Sequence, residues 1–241
     1  MSVLLVTGTG TGVGKTVVAA AIAALAHDRG ARTCYVKAAQ TGVPGDAADV
    51  DTVRRLAGDV DTVEGARFPD PLSPAAAARI ARREPVDLTA VADVVRRLAG
   101  GYDLVIVEGA GGLLVRYDED GATFADLARD LDAEVLVVTE PGLGTLNATA
   151  LTLESIANRG VRLAGLVIGA WPEAPGLAER SNVRDLEMLV ARRLAGALPA
   201  AAGDAAAGAG GFLSTARAGL GPELGGAFDA KAFRERWSTD G

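Results

Sequence analysis

Gly8-Thr9-Gly10-Thr11-Gly12-Val13-Gly14-Lys15-Thr16 follows directly on the apolar run Val3–Thr7 and opens a helical pattern that reaches Arg29. Strand, glycine-rich loop, Gly-Lys-Thr and helix, in that order, make a cradle for a polyphosphate. The glycines let successive backbone N–H groups turn toward phosphate oxygens, and the helix N-terminus adds positive potential. Lys15 then reaches the β- and γ-phosphates, and the Thr16 hydroxyl is a ligand for Mg2+. A turn that only redirects the chain is the competing reading, and the order of the elements argues against it. One departure stands out: the common pattern has Gly five residues before Gly14, where this chain has Thr9, with Gly8 one place earlier.

Outward from this loop the chain alternates. Val3–Thr7, Thr33–Lys37, Leu104–Glu108, Val135–Thr139 and Gly165–Ile168 are almost continuously apolar or β-branched, as strands buried on both faces are. Between them, Thr16–Arg29, Ala47–Ala57, Leu88–Leu98, Thr145–Arg159 and Ala178–Leu194 carry helical periodicity, and Gly30, Gly58, Gly100 and Gly160 follow four of these as stops. The alternation predicts an α/β fold with a mostly parallel β-sheet flanked by helices on both faces, and ligands at the carboxyl ends of the strands. Residues 200–226 are rich in Ala and Gly with little periodicity and read as a loop or poorly ordered stretch, with a short closing helix over Phe228–Trp237. No internal repeat or second domain is evident, so residues 1–241 are expected to form a single domain.

Two further strands end in charge. Tyr102–Val107 leads to Glu108, followed by Gly109-Ala110-Gly111-Gly112; a carboxylate there suits a Mg2+ ion shared with the nucleotide phosphates. Lys37 ends the second strand, with Gln40-Thr41-Gly42 beyond it. Lysine is scarce: of 24 basic residues only Lys15, Lys37 and Lys231 are lysine, so generic surface charge is supplied by arginine. Lys15 and Lys37 therefore stand out as compact ammonium groups, and a second cation beside Lys15 would stabilise oxyanions at a γ-phosphate. Asp46, Asp49 and Asp51 open the next helix; acids in a first turn are ordinary dipole partners, and spacing alone does not choose among them.

The net charge is −7 and no Lys/Arg block is present, which argues against nucleic acid and against an anionic membrane surface. The first residues lack a basic n-region, no apolar run spans a bilayer, and the single cysteine, Cys34, excludes an internal disulfide. A cytoplasmic protein is the expectation. Cys34 reads as a core side chain, His27 as a surface residue near a helix end, and the paired arginines at 54–55, 82–83, 96–97 and 192–193 as solvated faces. Trp171 either stacks on a base or closes the edge of the core.

Taken together, the phosphate loop, Val36-Lys37 with Gln40-Thr41-Gly42, Val107–Gly112, Thr123-Phe124-Ala125-Asp126-Leu127 and Gly142-Leu143-Gly144-Thr145-Leu146-Asn147 resemble the dethiobiotin synthetase family over roughly residues 1–200. The resemblance implies a P-loop NTPase fold and an ATP- and Mg2+-dependent ligase that joins CO2 to 7,8-diaminopelargonic acid. It implies Lys37 and Lys15 as catalytic residues and Thr16, Asp49 and Glu108 as metal ligands. For the nucleotide it implies Thr11, Gly12, Val13, Gly14, Lys15, Thr16, Asp49, Glu108, Gly109, Ala110 and Gly111, with Gly169, Ala170, Ala197, Leu198 and Pro199 on the base side. For the diamino acid it implies Thr41, Gly111, Leu143, Gly144 and Asn147, at the interface of a homodimer. Where the family often has proline after the catalytic lysine this chain has Ala38. Where it often supplies Asn to the base, Gly169-Ala170-Trp171-Pro172 stands, which leaves room for other nucleoside triphosphates.

Two other functions are weighed against this one. A nucleotide switch that partitions cargo or sites division carries a signature lysine where this chain has Gly10, and a basic amphipathic C-terminal helix that this chain lacks. An amidating enzyme acting on a corrinoid needs a further domain with a nucleophilic cysteine, and only Cys34 is present.

Overall fold

The structure, a computed structural model, describes residues 2–42, 48–204 and 208–239. Its elements run β1 (Ser2–Gly8), α1 (Lys15–Asp28), β2 (Thr33–Lys37), β3 (Gln40–Thr41), α2 (Asp49–Ala57), β4 (Asp61–Glu64), β5 (Arg67–Phe68), α3 (Pro74–Ala81) and α4 (Leu88–Ala99). The chain continues with β6 (Leu104–Glu108), α5 (Phe124–Asp130), β7 (Glu134–Thr139), α6 (Thr145–Asn158), β8 (Arg162–Trp171), α7 (Leu177–Val190), β9 (Gly196–Pro199), α8 (Gly208–Gly219) and α9 (Ala230–Trp237). Seven strands form one sheet in the order β4-β2-β6-β1-β7-β8-β9, every pair parallel. β3 and β5 make a small separate pair.

The five expected strands and five expected helices are all present, with ends shifted by a few residues. Parallel pairing sends every strand's carboxyl end to one edge, and buried residues fill both faces. One core layer takes Val18–Leu25 of α1, Val50 and Val53 of α2, and Phe212 and Ala216 of α8. The other takes Val91 and Val95 of α4, Leu127 of α5, Ile156 of α6 and Val183 and Leu186 of α7. α1 is buried on nearly every side because it runs between the sheet, α2 and α8. Its alanines allow that close approach. α7 stops four residues earlier than its periodicity suggests, because Ala191 turns into the left-handed region at φ 52°.

Of residues 200–226, the described ones, 200–204 and 208–226, are largely helical rather than a loop. A 3-10 turn occupies Ala200–Gly203, α8 spans Gly208–Gly219, and a second 3-10 turn follows at Pro222–Leu224. Phe212, Ala216 and Leu220 recur every four residues and are buried against α1 and α2. Replacing Phe212 by alanine is expected to cost about 3–5 kcal/mol, measured by denaturant unfolding. A loosely attached segment would give no change.

Of the two readings of Trp171, the structure takes the core edge. The β8–β9 register shifts between Ile168 and Trp171, and Trp171 joins the same core layer as Ile168. Its ring stands 4.9 Å from Phe233 and 5.8 Å from Trp237, so α9 closes over it. Cys34 is fully buried, and burial together with the negative charge of Asp61 pushes its thiol up to about 11. His27 is exposed in the last turn of α1. The four arginine pairs are exposed, although 82–83 and 192–193 lie just past helix ends.

Candidate active site

A cavity of about 770 Å3 opens at the carboxyl edge of the sheet, between the loop after β1 and the segments that follow β2 and β6. Its walls bring together residues from distant parts of the chain: Thr11, Gly12, Gly14, Lys15 and Thr16 from the phosphate loop, Thr41 and Asp49 after β2, and Glu108, Ala110 and Gly111 after β6. Lys37 also lines it.

Glu108 is the hub. β2 and β6 pair with Lys37 opposite Glu108, and Tyr35, two residues before Lys37, shares its face. Lys37 Nζ lies 2.7 Å from Glu108 Oε1 and 2.5 Å from Asp49 Oδ2, and donates to the Gly109 carbonyl at 3.2 Å. The Thr16 hydroxyl donates to Glu108 Oε1 at 2.9 Å and the Tyr35 hydroxyl to Oε2 at 2.8 Å. Glu108 is 1% exposed and Lys37 4%, so the charges persist there only because they are paired and hydrogen-bonded. Burial alone would push the Lys37 ammonium down; Glu108 and Asp49 outweigh it and hold the group above its ordinary value.

Lys15 differs. Its Nζ folds back to the Gly10 carbonyl at 2.7 Å, and burial lowers its pKa, Glu108 and Asp49 offsetting this in part while the like charge of Lys37 adds to it. An ammonium held this way, with one carbonyl partner and a depressed pKa, gains most from an incoming anion.

The donors around Lys37 are all oxygens: two carboxylates and a hydroxyl. That set fits a hard divalent ion that completes its shell with phosphate oxygens and water, and the ammonium already shows that the carboxylates are arranged round a positive charge. Among the described residues no group of three or more His, Cys, Asp or Glu side chains converges, so the protein alone offers no closed metal cage.

Val13 is buried beneath the loop, where Gly14 and Gly169 of β8 meet backbone to backbone. A Cβ at Gly14, whose φ is 95°, would lie 2.7 Å from the Gly169 carbonyl oxygen, and one at Gly169 would overlap the Val13 carbonyl oxygen. Gly169 is thus a seat for the phosphate loop. Gly109 packs under Phe124 and offers its carbonyl to Lys37. Ala197 and Leu198 have buried side chains, whereas Pro199 is exposed; Gly169, Ala170, Ala197, Leu198 and Pro199 do not line the cavity. Leu143, Gly144 and Asn147 do not line it either: they are exposed at the start of α6, where Asn182 holds the turn through the Pro141 and Gly142 carbonyls at 2.9 and 3.0 Å. Of the three acids at the start of α2, Asp49 turns to Lys37, Asp51 faces Arg54 outside, and Asp46 lies outside the described residues.

Several contributors were missed by the sequence reading. Gln40 accepts from the Asp49 backbone N–H at 2.9 Å, capping α2 from outside where Ala48 has no capping side chain. Tyr117 accepts from the Ala110 N–H at 2.8 Å and fixes the glycine-rich turn after β6; burial pushes its phenol up to about 12. Pro71–Pro74 close the cavity opposite the loop. Ser73-Pro74 was a legible helix start, since proline favours the first helical position.

The family described as "AAA domain" matches residues 2–203. ATP-dependent dethiobiotin synthetase BioD of Parafrankia sp. (strain EAN1pec) is 62% identical, covering 99% of this chain and all of that protein. The enzyme of the same name from Streptomyces coelicolor is 54% identical over 98% of this chain and 99% of its own length. The chain belongs to the dethiobiotin synthetase family. Among solved structures, the cell division ATPase MinD of Pyrococcus furiosus aligns with a TM-score of 0.55 at 19% identity, covering 98% of the synthetase and 96% of MinD. That likeness shows a P-loop α/β fold and nothing of function. Among the described residues of the synthetase, no helix is long and apolar enough to cross a membrane.

Proposed function

We propose that this cavity is where ATP and 7,8-diaminopelargonic acid meet. The reaction is the ATP-dependent carboxylation and ring closure of biotin biosynthesis, carried out by a ligase that forms C–N bonds. One amine adds to CO2, forming a carbamate and releasing a proton. A carbamate oxygen attacks the γ-phosphorus, the bond to ADP breaks, and a carbamic–phosphoric anhydride forms. The second amine attacks the anhydride carbonyl, the C–O bond breaks with its electron pair leaving on phosphate, the amine proton departs, and dethiobiotin results.

The residues divide the work. The N–H groups from Thr11 to Thr16 hold the triphosphate, and Lys15 releases Gly10 to meet the β- and γ-phosphates. Lys37 exchanges its carboxylate partners for carbamate and phosphoryl oxygens, whose negative charge it stabilises as the bond to ADP breaks. Thr41 and Gly111 flank the diamine. Mg2+ would be held by Thr16, Asp49 and Glu108, and when bound it neutralises phosphate charge. Gly169, Ala170, Ala197, Leu198 and Pro199 would border the base, with the buried Ala197 and Leu198 contributing main chain only. The observation that carries this reading is a buried ammonium, Lys37, between two carboxylates in the same cavity as the phosphate loop.

A homodimer completes the site in this reading. Leu143 is 94% exposed beside Gly144 and Asn147, and Leu151, two helical turns along α6, is 56% exposed. An apolar face of that kind suits burial against a second copy, which would carry the substrate's carboxylate end to the turn. A cytoplasmic setting is part of the same proposal.

Purified protein with 7,8-diaminopelargonic acid, bicarbonate, Mg2+ and ATP is expected to yield ADP and dethiobiotin in equal amounts, and neither without the diamine. With no Asn at the base segment, CTP and GTP are expected to support turnover as well. ATP hydrolysis indifferent to the diamine, with no dethiobiotin, would overturn the assignment of this cavity.

A further inference from the structure

We propose that Thr139 is a positioning residue that couples the phosphate loop to the turn before α6, through a directed chain of hydroxyl groups centred on its own buried one. The inference rests on the reading that this turn receives the substrate's carboxylate end.

Thr139 ends β7 and is completely buried. Its hydroxyl oxygen lies 3.2 Å from that of Thr9 in the phosphate loop, 2.7 Å from Thr145 and 2.9 Å from Thr149, both on α6. Thr145 also reaches the Glu140 carbonyl at 2.5 Å. A carbonyl oxygen only accepts, so the single proton of Thr145 is spent there. Thr139 must therefore donate to Thr145 and accept from both Thr9 and Thr149. Every hydroxyl in the chain then has one direction: Thr9 to Thr139 to Thr145 to the Glu140 carbonyl.

Thr149 shows that the arrangement is specific. A threonine within a helix ordinarily bonds the carbonyl four residues back, as Thr152 does to Ala148 and Ser155, a serine, does to Leu151. Thr149 instead points inward and fills the last lone pair of Thr139. The chain also gives a reason for Thr9 standing where the usual loop has glycine: beside its backbone N–H bond to the Val138 carbonyl of β7, it adds a side-chain contact to Thr139. Movement of the loop onto a triphosphate is thereby transmitted to Thr145, the first residue of α6, adjoining Gly142–Gly144. The Thr139, Thr145 and Thr149 hydroxyls are buried and bonded to one another, so little water is at hand there to absorb the displacement.

Binding is read by calorimetry, using a non-hydrolysable ATP analogue with Mg2+ and, separately, 7,8-diaminopelargonic acid, each titrated with and without the other. In the natural protein each ligand should tighten the other by the same factor, in the usual range of about 5–150-fold. Thr139→Val keeps the shape and removes the network's centre, and should lower that factor by about fivefold or more, whereas Thr139→Ser should restore it. Thr9→Val should lose as much coupling as Thr139→Val, and the double variant no more than either, since the two act in series. Should Thr139→Val fold poorly, Thr9→Val at the half-buried loop end gives the same test. An unchanged coupling factor in either valine variant, or no coupling in the natural protein, overturns the proposal. Asn147→Ala separates this from the reading beneath it: diamine affinity unchanged in that variant removes the turn from the substrate site, whatever the coupling result.

Discussion

Lys37→Met should retain the fold in the presence of Mg2+ and lose turnover by on the order of 10²–10³-fold. Methionine matches the lysine stem as far as Cε, with sulfur in place of one methylene, and removes the ammonium. What disappears is the fixed cation that would meet the carbamate and the transferring phosphoryl group, so the loss should fall on kcat more than on the KM for ATP. A second effect comes from what is left behind. Glu108 and Asp49 would face each other across the vacated position, with Glu108 almost wholly buried. Removing one partner of a buried ion pair costs about 3–5 kcal/mol, to be seen in denaturant unfolding of the metal-free variant. Added Mg2+ should recover much of that loss, because it restores positive charge between the same carboxylates. Single-turnover assays and unfolding with and without MgCl2 read both effects. Turnover close to that of the natural protein, or an instability that Mg2+ leaves untouched, would contradict this account of Lys37.

Gly169→Ala should be among the most damaging glycine-to-alanine changes at the described residues. The added Cβ would overlap the Val13 carbonyl oxygen and press on Val138 at 2.6 Å. Both obstacles belong to the sheet and the phosphate loop, and neither is the free end of a flexible side chain. The loop must therefore shift, and a displacement of about 1 Å in a group that positions phosphates can cost on the order of 100-fold in rate. The expected signature is a raised KM for ATP with a lowered kcat, together with lost stability of about 1–3 kcal/mol from overpacking. Normal ATP kinetics in this variant would show that the loop does not rest on β8.

The legible part of the site was the part written in consecutive residues. Gly8–Thr16 and Val107–Gly112 each hold their chemistry on one strand and the turn after it, so local pattern sufficed. The meeting of Lys37 with Glu108 was not legible in that sense, since it depends on the register of β2 against β6, which no local pattern fixes. The same holds for Tyr35 and Gln40, whose importance lies wholly in what they touch. α8 was hidden by composition: alanine and glycine contribute little periodicity, and the repeat of Phe212, Ala216 and Leu220 rests on one aromatic, one small residue and one leucine. Trp171 was undecidable because the irregularity after Ile168 changes which face it joins. The acids at the start of α2 were separable only once Asp49 was seen to face Lys37 and Asp51 to face outward.

The strand order has a consequence for how this chain comes to be folded. β1 precedes the other six strands of the sheet along the chain yet sits in its middle, between β6 and β7. Neither neighbour exists until about 100 further residues have been added, which at roughly 5–20 residues per second takes on the order of 5–20 s. Throughout that interval Val3–Val6 and the apolar α1 have no sheet to enter, and they are exposed to any other apolar surface nearby. The segment that carries the phosphate loop thus waits for strands made long after it, and the apolar residues on either side of that loop, Val3–Val6 and those of α1, are the ones a nascent-chain chaperone would cover in the meantime.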